Sequence, residues 1–237
     1  MKEIKETMER LKKKTIQQEP QQDFSINIDL LKIQEYSKIG IGKKFYSKDF
    51  DSFIVKTEIQ KQAREKSIKF VEDYMHNSAS GLIYIGKPGT GKTHLCYSVC
   101  KEIIEHEISK AEYPQDYSSR IRIYNITNLI NDIKSTYTGK STKSEYDIMN
   151  FCKSLDLLIL DDLGKEYSKI DAFGNSWFNE KLYKIINDRY ENEKPIIITT
   201  NFTILELENK IDPAIISRLI EMCDGIKCDW EDYRRLK

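Results

Sequence analysis

One octapeptide constrains this chain more than any other feature. Gly86-Lys87-Pro88-Gly89-Thr90-Gly91-Lys92-Thr93 satisfies the pattern G-x-x-x-x-G-K-[ST] in full. It stands between an apolar run at 82–85 and a segment of helical periodicity from 92 to about 106. Glycines at these positions let backbone N–H groups turn toward a common centre, and a helix beginning near Lys92 points its positive dipole end at the same place. A junction of that kind cradles phosphate. Gly86, Pro88, Gly89, Thr90, Gly91, Lys92, Thr93 and His94 are expected to line it, with Lys92 on the β- and γ-phosphates and the Thr93 hydroxyl on Mg²⁺. The plain alternative is a chance glycine-rich turn, which leaves the flanking strand and helix unexplained.

The rest of the chain continues the alternation of strand and helix. A helix over 58–76 precedes the octapeptide, and Ile121–Asn125 alternates as a strand after it. Helices are expected over 128–137 and 144–153. The run 155–160 (LDLLIL) is nearly continuous and apolar, as in a strand covered on both faces. Phe178, Leu182, Ile185, Ile186 and Arg189 fall at helical spacing within 177–191, and Pro195 ends that helix before the buried strand Ile196–Thr200. Helices over 204–210 and 213–223 and a last strand over 225–228 complete the series. Strands separated by helices pair in parallel through right-handed crossovers. The expected fold is α/β, a three-layer sandwich around a parallel five-stranded sheet.

Two more motifs fall at the ends of expected strands. A carboxylate at the carboxyl end of a buried strand is costly unless it meets a cation. Asp161 is therefore expected beside Thr93 at the Mg²⁺, and Asp162 is placed to orient an attacking water. An exposed turn, Asp-Asp-Leu-Gly, is the alternative. Asn201 follows Thr199-Thr200 and could direct its amide at the γ-phosphate or the water, although an asparagine after a strand is often a turn former.

Composition narrows the field. Among 237 residues, 38 Lys and Arg balance 38 Asp and Glu, so a uniformly basic nucleic-acid binder is not expected, whereas a local basic patch stays open. No apolar run approaches the ~20 residues that span a bilayer, and the lysine-rich start lacks the core of a secretion signal, so the expected location is cytoplasmic, with no membrane partner. The five cysteines form no C-x-x-C pair and read as buried, reduced thiols rather than a zinc site.

GKPGTGKTHL, LLILDDLG, Asp188-Arg189-Tyr190 and PIIITTN together resemble the bacterial replicative helicase loaders of the DnaC/DnaI type, AAA+ ATPases with the IstB transposition helpers as relatives. The resemblance covers about residues 40–237, from Lys43-Lys44-Phe45 to Tyr233-Arg234. It implies ATP and Mg²⁺ as cofactors, ATP hydrolysis, a replicative DNA helicase and single-stranded DNA as partners, and ATP-dependent self-association. It also implies that Lys92, Asp161, Asp162, Asn201 and Arg218 carry catalysis. Arg218 would be the finger that reaches ATP on a neighbouring subunit; its alternative is an ordinary salt bridge on an amphipathic helix. Phe45 and Phe50 would face adenine, unless they are simply core. Lys165, Tyr167 and Lys169 offer contacts to single-stranded DNA, or a solvated loop.

Two departures accompany the resemblance. Too little chain follows Cys228 for the helical lid of many AAA+ proteins, which leaves an AAA+ core lacking that lid. Residues 1–45 are expected to form a short docking helix, with Ile4, Met8 and Leu11 on one face, and a linker at 17–22, ahead of an ATPase domain at 46–237. The function expected is loading a replicative helicase onto single-stranded DNA. The alternative is a transposition helper of the IstB type acting on duplex DNA.

Overall fold

A computed structural model describes residues 27–139, 141–165 and 172–233 of the chain. The expected helix over 1–14, the linker at 17–22, most of the lysine-bearing stretch at 165–169, and Arg234 lie outside the described residues. Five strands, β1 (Gly81–Ile85), β2 (Ile121–Asn125), β3 (Leu157–Leu163), β4 (Ile196–Thr200) and β5 (Asp224–Lys227), form one sheet in the order β2-β3-β4-β1-β5. Every pairing is parallel, as the alternation implied.

The sheet is covered on both faces because its central strands alternate two apolar sets. Leu157, Ile159 and Ile197 pack with α1 (Ile28–Ile39), α2 (Glu58–Met75) and α3 (Lys92–Lys110). Leu158, Leu160, Ile196 and Ile198 pack on the opposite side with α4 (Ile126–Tyr137), α5 (Glu145–Ser154), α6 (Ala172–Glu191) and α8 (Pro213–Met222), and the short α7 (Ile204–Glu208) joins that layer through Leu207. The three-layer α/β sandwich is thus present.

Side-chain caps set several boundaries. Thr57 and Gln60 close a reciprocal capping box on α2, and Ser144 with Asp147 does the same on α5. Asn125 accepts from the Thr127 amide, so α4 begins at once after β2, two residues before its expected start. The third strand also differs from expectation. Leu155 is the C-cap of α5, and β3 runs on through both aspartates to Leu163. The segment at 28–39, unassigned by sequence, is α1. Its Tyr36 and Ile39 are buried against α3, and Lys32 pairs with Glu105 at 3.0 Å.

All five cysteines are reduced; four are buried and Cys223 is half-buried. Among the described residues there is no cluster of three His, Cys, Asp or Glu side chains, and no helix is long and apolar enough to cross a membrane.

Candidate nucleotide-binding site

The strand order places β3, β4 and β1 side by side, so the segments leaving their carboxyl ends share one edge of the sheet. From β1 comes the glycine loop. Gly89 and Gly91 hold φ of 82° and 90°, left-handed values that side chains resist, and the Thr90 hydroxyl ties the loop by donating to Lys87 O at 2.9 Å. Pro88 is exposed beside them. Lys92 opens α3 and is buried; its Nζ donates to Gly86 O at 2.7 Å, Lys87 O at 2.8 Å and Asn201 Oδ1 at 2.8 Å.

From β3 come the aspartates, re-aimed by a bulge. Leu160 is level with Ile198 and Leu163 with Thr200, so one extra residue of β3 must be absorbed at Asp161-Asp162. Asp162 takes it up with φ of 65°, an uncommon left-handed conformation for a residue with a side chain. The bulge gives the acids different surroundings. Asp161 is 7% exposed, and its Oδ1 accepts from Thr199 Oγ1 at 2.6 Å and Thr93 Oγ1 at 3.3 Å. Asp162 is half-buried, lies 3.4 Å from Asn201 Nδ2 and pairs with Lys165 at 3.7 Å.

Burial pushes the Asp161 carboxyl above its usual range. The hydrogen bond from Thr199 opposes this, and the neighbouring Asp162 charge adds to it. A desolvated carboxylate beside a hydroxyl is a set of hard oxygen donors, which suits Mg²⁺. Mg²⁺ commonly takes one or two carboxylates plus substrate phosphates, so Thr93 and Asp161 need no further acidic partner.

The structure therefore gathers Lys92, Thr93, Asp161, Asp162 and Asn201 into one hydrogen-bonded group. Thr199 completes it: its hydroxyl donates to Asp161 and accepts from the Asp162 amide at 2.9 Å, bracing both acids. In the Thr199-Thr200-Asn201 string the sequence points to a task for the asparagine alone. Thr199, inside a strand otherwise rich in isoleucine, was the available signal.

Other expected residues lie elsewhere. His94 faces Asp49 O at 2.8 Å and Ser52 Oγ at 3.3 Å, edge-on to Phe53; burial lowers its basicity. Phe50 is core, and Phe45 packs edge-on against Tyr97. Phe53 instead is the aromatic against Gly91, with Trp230 and Tyr233 around it. Arg218, on α8, donates from Nε to Asn187 Oδ1 at 2.9 Å and from its amino group to the Tyr183 hydroxyl at 3.1 Å, over the rings of Tyr183 and Tyr190.

The segment after β5 returns across the loop. Trp230 Nε1 donates to Thr90 O at 2.7 Å, the Tyr233 amide to Gly89 O at 3.1 Å, and the Tyr233 hydroxyl to Ile54 O. No sequence pattern announces this strap, because its partners lie more than a hundred positions away.

A glycine loop between β1 and α3, an acid pair on β3 and an asparagine after β4, in a five-stranded parallel sheet, define an ATP-binding P-loop protein of the AAA+ class. The family model described as IstB-like ATP binding protein matches residues 29–237. The chain belongs to that family. It is 25% identical over 204 residues to the replicative helicase loader DnaC of Escherichia coli (strain K12), covering 84% of this chain and 74% of that one. The uncharacterized protein YqaM of Bacillus subtilis (strain 168) is 25% identical over 189 residues, 78% of this chain and 55% of its own. Among solved structures, the DnaC helicase loader superposes with a TM-score of 0.63 at 24% identity, over 78% of this chain and 99% of that one. DnaI gives 0.62 at 18%, over 80% and 95%. The initiator DnaA bound to AMPPCP and single-stranded DNA gives 0.59 at 20%, over 80% and 51%. These likenesses support the AAA+ fold.

Proposed function

We propose that this chain is a cytoplasmic ATPase that binds a replicative helicase and loads it onto single-stranded DNA. The observation that carries the reading is the single hydrogen-bonded group joining Lys92, Asn201, Asp162, Asp161 and Thr93. The loop amides and Lys92 hold the triphosphate, and Thr93 and Asp161 hold Mg²⁺, which neutralises phosphate charge when bound. Asp162 aligns a water for attack on the γ-phosphorus; the new P–O bond forms as the bond to the β-phosphate oxygen breaks, and ADP leaves. Asn201, between Lys92 and Asp162, registers whether the γ-phosphate is in place. Arg218 acts in trans on the nucleotide of a neighbouring copy, offsetting charge that develops during transfer.

A platform away from the loop supports the DNA partner. Tyr137 and Trp177 meet edge to face at 6.1 Å, and Lys134 lies 5.6 Å above the Trp177 ring. Nearby in sequence, Lys143 sits over the exposed Phe151. Exposed rings and lysines suit stacked bases and phosphates of a single strand. The segment before Ile28 is assigned to docking on the helicase.

Two experiments test this. Mg-ATP at about 100 times its Kd stabilises a binding protein by about 2.7 kcal/mol, which raises the melting temperature of a domain this size by about 5–10 °C. Lys92→Ala should lose that rise relative to its own melting temperature without nucleotide. A pull-down with ATP should retain a replicative helicase, and deletion of residues 1–22 should release it. The family's IstB-like description favours a second reading, a transposition helper. ATP-dependent filaments on duplex DNA, with no helicase retained, would establish that reading instead.

A further inference from the structure

The Asp232 carboxylate lies directly against the phosphate loop. A methyl group added to Gly89 would come within 1.7 Å of Asp232 Oδ1 and 2.6 Å of Oδ2, so only a glycine hydrogen fits between loop and acid. The placement is held on both sides: Trp230 Nε1 is bonded to Thr90 O at 2.7 Å and the Tyr233 amide to Gly89 O at 3.1 Å. Phe53 adds ring contacts to Trp230 and Tyr233 at centroid distances of 6.3 and 6.2 Å. The strap thus grips two consecutive carbonyls of the loop and carries its acid between those grips.

A carboxylate against this loop shares the positive surroundings, the amino end of α3 and Lys92, that a triphosphate needs. A phosphate oxygen accepting from a loop amide lies about 3 Å from that nitrogen, which puts the bound phosphates within roughly a Debye length, about 8 Å, of the Asp232 carboxylate. Like charges at that separation repel, and the repulsion weakens as salt rises. Lys92 and the helix dipole attract the nucleotide, and Asp232 opposes them from the rim.

We propose that Asp232 is an anionic brake on the phosphate loop, which weakens the hold on nucleotide in proportion to its charge and so shortens its residence. The proposal rests on the loop being an ATP site and concerns how that site is regulated. It assigns the last described turn of the chain a role distinct from chemistry: keeping nucleotide exchangeable until another interaction draws the strap away.

The test is calorimetric titration of the wild type, Asp232→Asn and Asp232→Ser with Mg-ATP, Mg-ADP and adenosine at low and high salt. The expected result is a gain of about five- to ten-fold in affinity for ATP in both variants, a smaller gain for ADP, none for adenosine, and a shrinking gain as salt rises. Asp232→Ser guards against a specific effect of the asparagine amide. If wild type binds ATP and both variants bind it equally or more weakly, the brake is overturned while the site stands. A gain of the same size for adenosine would also overturn it, since the effect would then not be one of charge. If wild type binds no nucleotide, the site assignment itself fails and the brake with it.

Discussion

Asp161 illustrates how one residue can serve function against stability. Its carboxyl is raised by burial, so the folded protein resists its ionisation more than the unfolded chain does. For an acid with a raised folded pKa, the penalty on folding is absent below the unfolded pKa and grows as pH rises through the folded one. Asp161→Asn removes the charge and keeps an oxygen at the Oδ1 position to accept from the Thr199 and Thr93 hydroxyls. The variant should therefore be more stable than wild type at neutral pH by about 1 kcal/mol, with the gap closing in acid, and should lose the Mg²⁺-dependent part of ATP binding. Thermal melts from pH 4 to 8, with and without Mg-ATP, measure both; a variant less stable at neutral pH would contradict the account. At this scale the sequence was most legible where chemistry demands a residue type in a spacing, as at Lys92, Thr93, Asp161 and Asn201. It was silent on Thr199 as a brace, since a threonine in a strand is ordinary for packing alone. That Phe53 is the ring against Gly91 was not legible, because ring position depends on how the 43–53 segment folds, which no period records.

Arg189 shows what an element boundary can require. Sequence placed it on the apolar face of a helix, and the structure buries it fully, with no exposed surface. Its guanidinium donates to Cys152 O at 3.1 Å, Leu155 O at 3.0 Å, Asp156 O at 3.1 Å and Pro195 O at 2.6 Å. These carbonyls end α5, lead into β3 and precede β4, so one side chain pins three elements at the sheet edge opposite the nucleotide loop. Burial lowers its pKa to about 10, which leaves it charged at neutral pH. Arg189→Met would fill similar space yet strand four carbonyls, two of them in fully buried bonds, at a cost of about 3–5 kcal/mol. A fall in the urea midpoint with an unchanged slope would register that loss, and a shift under 1 kcal/mol would show the carbonyls find other donors. Arg189→Lys should recover only part, because three donors on a flexible stem do not match four acceptors in a planar fork. Elements were legible wherever burial follows a period. The helix α1 escaped because its outer face exposes Ile28, Leu30 and Ile33 while its inner face buries Glu35, which accepts from the Ser119 amide at 2.8 Å. Apolar outside and acidic inside erase the pattern that marks a helix. The start of α6 escaped for a different reason, since Gly174 and Ser176 speak against helix locally.

At the scale of the whole molecule the question is how one copy senses another. Arg218 is held on the α6–α8 face, stacked over Tyr183 and Tyr190 at 4.9 and 5.6 Å and bonded to Asn187. Among the described residues, its hydrogen bonds go to Asn187, Ala214 and Tyr183 and none to the Lys92 group, so within one copy it belongs to a different surface from the glycine loop. A finger acting in trans has this placement: fixed by its own subunit and reserved for the next. With 38 positive and 38 negative charges the chain has no net field to drive assembly, so the proposed association would rest on local contacts. Arg218→Ala should then bind Mg-ATP with wild-type affinity, since the loop is untouched. Its turnover should stay flat as protein concentration rises, whereas wild-type turnover per copy should climb by about a thousandfold or more, the order expected of an arginine supplied by a neighbour. Turnover against concentration, with light scattering in parallel, separates the cases. A variant that climbs like wild type would return Arg218 to a structural bond between α6 and α8. A variant that no longer binds ATP as a dilute monomer would mean the two surfaces are coupled within a single copy, and the division of labour between them would have to be drawn differently.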